Sequence, residues 1–75
     1  MLPIATVKLS PNEFIGQASD EAWFKLAMLA EKQQMNSVTQ RIRTALLEDT
    51  DGRTQRRITF PGHEISILLT MIENG

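Results

Sequence analysis

The stretch SPNEFIGQASD, residues 10–20, sets where the helical part of this 75-residue chain begins. Ser10, Pro11 and Glu13 occupy the N-cap, first and third positions of a capping box. In that motif the cap serine accepts from an N–H in the first turn and the glutamate reaches back to the cap's own N–H. A helix starting at Ser10 is therefore expected. Gly16 weakens it, and Ser19-Asp20 offers a second start. One long helix and a short turn followed by a helix both remain open.

Upstream, residues 4–9 read as a short strand, with Ala5, Val7 and Leu9 on one face and Thr6, Lys8 and Ser10 on the other. Downstream, Ala22, Leu26, Leu29 and Ala30 share a helical stripe, with Trp23 and Ile15 close to it. Residues 33–37 interrupt that pattern. Ser37 is a good N-cap for a second helix running from Val38 to about Glu48, with Val38, Ile42, Ala45 and Leu46 as its apolar stripe. Thr50-Asp51-Gly52 reads as a turn, and Arg56-Arg57-Ile58-Thr59-Phe60 alternates like a strand until Pro61-Gly62 breaks it. Ile65, Leu68, Leu69 and Ile72 then follow at helical spacing, which favours a final helix over a strand returning through residues 64–71. The fold expected is mainly α with one or two short strands (α+β). It comprises a small β-α-α core plus a C-terminal strand and helix, in a single domain over residues 1–75.

A chain this short has a modest core. It holds no cysteine and one histidine, so neither disulfides nor a metal cage can reinforce it. Oligomerisation is the remaining way to gain core, and a homodimer is expected. No run of residues reaches the roughly 20 apolar positions of a membrane span. Met1-Leu2-Pro3-Ile4 has no basic region leading into an apolar core, so no signal peptide is expected and a cytoplasmic location is.

The net charge of −1 gives no bulk attraction to nucleic acid, but the charge is uneven. Lys32, Arg41, Arg43, Arg53, Arg56 and Arg57 face only Glu48, Asp49 and Asp51 within residues 32–58, and all five arginines lie there. Arginine makes forked contacts to phosphate and guanine. The plainer reading is a solvated surface laced with local salt bridges.

Catalysis is not expected. With no cysteine and only His63, a nucleophile–base pair reduces to a hydroxyl with that histidine, which sits beside Gly62 at a turn or helix start. Asp20-Glu21 opens a helix, where the helix dipole favours acids, and Glu48-Asp49 lies at a helix end, where it does not. Neither pair looks like an acid–base dyad. No glycine-rich phosphate loop or metal-ligand spacing is present, so no catalytic residue, metal, cofactor or small-molecule substrate is expected.

Residues 29–48, LAEKQQMNSVTQRIRTALLE, carry the most informative pattern. Leu29-Ala30, Ser37-x-Thr39 and Ile42-Arg43-x-Ala45-Leu46, together with the strand Ala5-Thr6-Val7-Lys8-Leu9, resemble the ribbon-helix-helix family of DNA-binding proteins. Residues 16–21 look like an insertion relative to that pattern, Met35 stands near the usual turn glycine, and residues 56–73 lie outside it. The resemblance implies that two chains pair their strands into a ribbon that enters the major groove. Thr6 and Lys8 would read bases, and the start of the second helix near Ser37 and Val38 would hold a phosphate. Val7, Leu9, Leu26, Leu29, Ile42 and Leu46 would form the dimer core.

The same residues also fit a plain amphipathic helix pair capped by Ser37. They fit a winged helix-turn-helix as well, with residues 38–46 as recognition helix presenting Gln40, Arg41 and Arg43. Trp23 and Phe24 point about 100° apart on a helix, so both are core only if that helix is covered on two sides. Otherwise one is an exposed aromatic anchor. Met28, Met35 and Met71 read as gap-fillers.

Two functions follow. The first is a small DNA-binding transcriptional regulator, of the size plasmids and phages encode, acting as a homodimer. Its contacts would be Thr6, Lys8, Ser37, Gln40, Arg41, Arg43, Arg56 and Arg57. The second is a protein-interaction module (an inhibitor, adaptor or antitoxin-like protein) binding through an apolar and aromatic patch of Trp23, Leu26, Ile65 and Leu69.

Overall fold

Residues 10–20 form a hairpin turn and a strand, not a helix, in the computed structural model, which describes residues 1–48 and 54–75. Strand β1 (Ala5–Ser10) passes through Pro11-Asn12 into β2 (Glu13–Ala18). Ser10 Oγ accepts from the Asn12 N–H at 3.2 Å instead of capping a helix. Period is the cause. Phe14, Gly16 and Ala18 are buried in alternation with the less buried Glu13, Ile15 and Gln17, a set that a helix would scatter around its surface. Pro11 holds φ at about −65°, and Asn12 does not adopt positive φ. The turn therefore lacks the twist of the favoured two-residue hairpin turns. A bulge between Lys8 and Ser10 absorbs the mismatch and leaves Leu9 unopposed.

The second candidate start is the real one. Ser19 caps helix α1 (Asp20–Lys32), its hydroxyl accepting from the Ala22 N–H, with Asp20 and Glu21 in the first turn. The helix ends in a Schellman motif. Gln34 takes the left-handed position at φ 60°, its N–H reaching Glu31 O, and the Met35 N–H reaches Ala30 O. Helix α2 (Asn36–Glu48) starts before Ser37, which sits inside its first turn and is not its cap. Strand β3 (Arg56–Pro61) and helix α3 (Ile65–Asn74) follow, separated by a 3-10 turn at Gly62–Glu64. Residues 65–74 are thus helical, as their spacing predicts, and no returning strand forms. The turn expected at Thr50-Asp51-Gly52 lies outside the described residues.

The fold is α+β, with three antiparallel strands in the order β1-β2-β3, one more than expected. β2 is central because β3 returns to its second edge after α1 and α2. The helices cover one sheet face, burying Phe14, Ala18, Ile58 and Phe60 with Trp23, Leu26, Val38, Ile42, Leu68 and Met71. Phe14 stacks on Phe60 at 5.4 Å, and Trp23 tilts against Phe60 at 5.8 Å. Each fully buried aliphatic or aromatic side chain of this kind contributes about 1.5–3 kcal/mol. The N-terminal segment is tied down through Leu2 N–H to Ile72 O at 2.8 Å.

Candidate interaction surfaces

The residues expected to meet DNA do not share one face. Arg56 is buried: its guanidinium forks onto Asp20 at 2.6 and 3.1 Å and donates to Ala45 O at 2.9 Å. It fastens the start of β3 to α1 and α2, so the expectation that it contacts phosphate is corrected. Arg43 is exposed and paired with Glu31 of α1. Arg41 lies over the Phe60 ring at 5.9 Å and pairs with Glu64 at 3.6 Å. Ser37 donates to the other oxygen of Glu64 at 2.9 Å. Gln40 is exposed on the same side of α2, and Arg57 donates to Gln17 on the far face of the sheet. Thr6 and Lys8 are exposed on β1, on the sheet face that carries the helices, beyond the part they cover. Arg53 lies outside the described residues.

The expected interface patch is also rearranged. Trp23 and Leu26 are 1% and 0% exposed, so they are core and no surface anchor. Phe24, one residue on, is the open aromatic at 58%, with Met28 a turn away. Leu69 is exposed and Ile65 half-buried. Val7 and Leu9, expected in a core, are 60% and 57% exposed. The register puts Val7 on the same face as Ile15 and Thr59, opposite the helices. With Ala5 and Ile15 they line a shallow apolar strip that Gln17 and Arg57 close off.

Among the described residues both outer strands have a free edge, and the hydrogen bonding fixes which backbone groups face out. The Gly62 N–H donates to Asn12 O at 2.7 Å, and antiparallel pairs alternate between bonded and non-bonded. Phe14 and Phe60, and Gly16 and Ile58, are therefore bonded pairs, and Ile15 and Val7 pair on the other side. The backbone groups of Arg57 and Thr59 point outward from β3, and those of Thr6 and Lys8 point outward from β1. Pro61, which has no N–H, ends the open edge of β3, a position where proline is tolerated.

Beside β3 an open groove of about 530 Å³ runs between Arg57, Ile58 and Thr59 and one face of α2. That face presents Ser37, Gln40, Arg41, Thr44, Ala45 and Glu48, at helical spacing. Glu64 closes one corner. It is 4% exposed, and its Oε1 has no hydrogen bond among the described residues. Sequence reading missed Glu64, because only its place just before α3 hinted at a role. His63 is exposed in the 3-10 turn. Among the described residues no cluster of three acidic or histidine side chains could hold a metal, and no helix is long and apolar enough to cross a membrane. No family model matches the chain, and comparison with curated proteins and with solved structures finds no match.

Proposed function

We propose that this chain is a protein-interaction module that works as a homodimer. One observation carries the reading: β1, one of the two edge strands, also holds the exposed apolar strip of Ala5, Val7 and Leu9. An open edge bearing apolar side chains is a template for another strand. A two-fold axis through Val7 satisfies it with a second copy. Thr6 then exchanges both backbone bonds with Lys8 of the second copy, Ala5 faces Leu9, and Val7 faces Val7. The two lysines stand opposite threonines and not each other, which avoids like-charge pairing. The result is a six-stranded sheet whose apolar strips merge. The test is the mass in solution of the wild type and of Val7→Lys, which sets two lysines face to face.

The DNA-regulator reading keeps one supporting observation: Gln40, Arg41 and Arg57 stand around one groove, beside the start of α2. Against it, Arg41, Arg43 and Arg56 each already have a carboxylate within the chain. Duplex binding measured at about 50 and 200 mM salt separates the two readings. A loss of about a thousandfold is what six phosphate contacts give, and no binding at low salt ends the DNA reading.

A further inference from the structure

We propose that the sheet face opposite the helices packs against the same face of a second copy of this chain, about a two-fold axis that crosses the strands at Val7, Ile15 and Thr59. This goes beyond edge pairing through β1, and the axis is the same whether single chains or edge-paired dimers stack.

The strand register sets out the face in three rows. Val7, Ile15 and Thr59 pair across the strands and form the middle row. Ala5, Gln17 and Arg57 form the row on one side. Glu13 and Pro61 form the row on the other, with Leu9 beside them in the bulge. The Arg57 side chain is held on this face by its bond to Gln17 at 3.2 Å. An antiparallel sheet can leave one face to water, but such a face is polar. The β1 side of this one is not: Val7 and Leu9 are more than half exposed, with Ala5 and Ile15 beside them.

Shape and charge both point to a second copy as the occupant. The axis keeps the middle row on itself and exchanges the outer two. Val7 then meets Val7, Ile15 meets Ile15, and the small Ala5 lies against the larger Leu9. Sheets packed face to face stand about 10 Å apart with their strands within about 30° of each other, so side chains matched in this way fill the gap. The exchange also sets Glu13 over Gln17, one strand spacing of about 4.8 Å from Arg57 of the second copy. This opposite-charge contact forms twice, once on each side of the axis. A two-fold axis along β2 would instead set Glu13 on Glu13. Within one chain Glu13 lies opposite Pro61, four residues along β3 from Arg57, or roughly 13 Å. The two therefore meet only across the interface. Such a surface is complementary to itself, as a two-fold contact requires. Edge pairing through β1 places two of these faces side by side with their middle rows in line, so stacked dimers make the Glu13–Arg57 contact four times.

The experiment is sedimentation equilibrium of the full chain from micromolar to millimolar concentration. The wild type is expected to rise from two chain masses to four. Ile15 lies on the central strand, so Ile15→Lys leaves the β1 edge intact and should stay at two. Glu13→Arg and Arg57→Glu should each weaken the second step tenfold or more. The two substitutions together should restore it to within threefold of the wild type, a rescue that misfolding cannot produce. Unchanged Trp23 fluorescence shows that each variant is folded. A wild type that remains at two masses at millimolar concentration would overturn the proposal, whether the face is left bare or covered by a different protein. So would an Ile15→Lys variant that still reaches four, or a double variant no better than the single ones. The edge reading fails separately. A wild type that passes from one mass to two, with Ile15→Lys held at one and the double variant restored, sinks edge pairing alone. A wild type fixed at two masses that Ile15→Lys does not change sinks face packing alone.

Discussion

The Trp23 indole occupies the space that a side chain on Gly16 would need: a Cβ built there meets Trp23 Cη2 at 2.5 Å and Cζ2 at 3.0 Å. The same indole donates from Nε1 to Arg56 O at 3.0 Å, so one ring joins α1 to β2 and to β3. Moving it breaks a buried hydrogen bond as well as a packing contact. Gly16→Ala is expected to destabilise the fold by about 1–3 kcal/mol, the usual cost of overpacking. Urea unfolding followed by the fluorescence of the single tryptophan measures this directly. An unchanged midpoint would mean that the indole can shift freely.

Arg56 and Arg43 both pair with a carboxylate, and burial separates their worth. Arg56 is 8% exposed and makes three hydrogen bonds to Asp20 and Ala45, whereas both partners of the Arg43–Glu31 pair are more than half exposed. Arg56→Met should cost about 3 kcal/mol, at the low end for a broken buried pair. Asp20 keeps 22% of its side chain exposed and lies in the first turn of α1, where its charge is favoured. Arg43→Ala should cost under about 1 kcal/mol. Comparable losses in the two variants, read from the same unfolding curves, would contradict the structural role given to Arg56.

Gln34 holds the left-handed position at the end of α1 with a φ of 60°. A side chain there costs about 1–2 kcal/mol, and glycine avoids that penalty while making the unfolded chain more flexible. Gln34→Gly is expected to stabilise the protein by about 0.5–1 kcal/mol, seen as a higher urea midpoint with unchanged slope. A lower midpoint would show that the Gln34 side chain contributes more than its backbone strain costs.

How much of this was readable beforehand depends on which physical signal each segment carries. The stripe of α1 and strand β3 follow from apolar spacing, which burial reproduces; α3 buries Leu68 and Ile72 but exposes Leu69, and β1 forms where its alternation places it although Ala5, Val7 and Leu9 are exposed. β2 was missed because Ser10-Pro11-Asn12-Glu13 satisfies the local rule for a helix start equally well. Tertiary packing decides between them: Gly16 must lie under Trp23, and Gly62 must approach Pro11 O, where a Cβ would sit at 2.5 Å. The second joins residues far apart in sequence, and the first depends on how α1 packs on the sheet. The surfaces were harder still. Arg56 and Arg57 are adjacent and look alike in sequence, yet strand alternation buries one and exposes the other. Val7 and Leu9 were correctly placed on one face of β1, but whether that face meets helices or solvent depends on the sheet, which a single strand does not reveal.

The central claim is self-association through β1, and sedimentation equilibrium at micromolar concentration tests it most directly. The account predicts that the wild type sediments at twice its 8.5 kDa chain mass. Val7→Lys should sediment at the single-chain mass, with unchanged Trp23 fluorescence showing that its fold is intact. A wild type that stays at the single-chain mass, or a dimer indifferent to Val7→Lys, would contradict it.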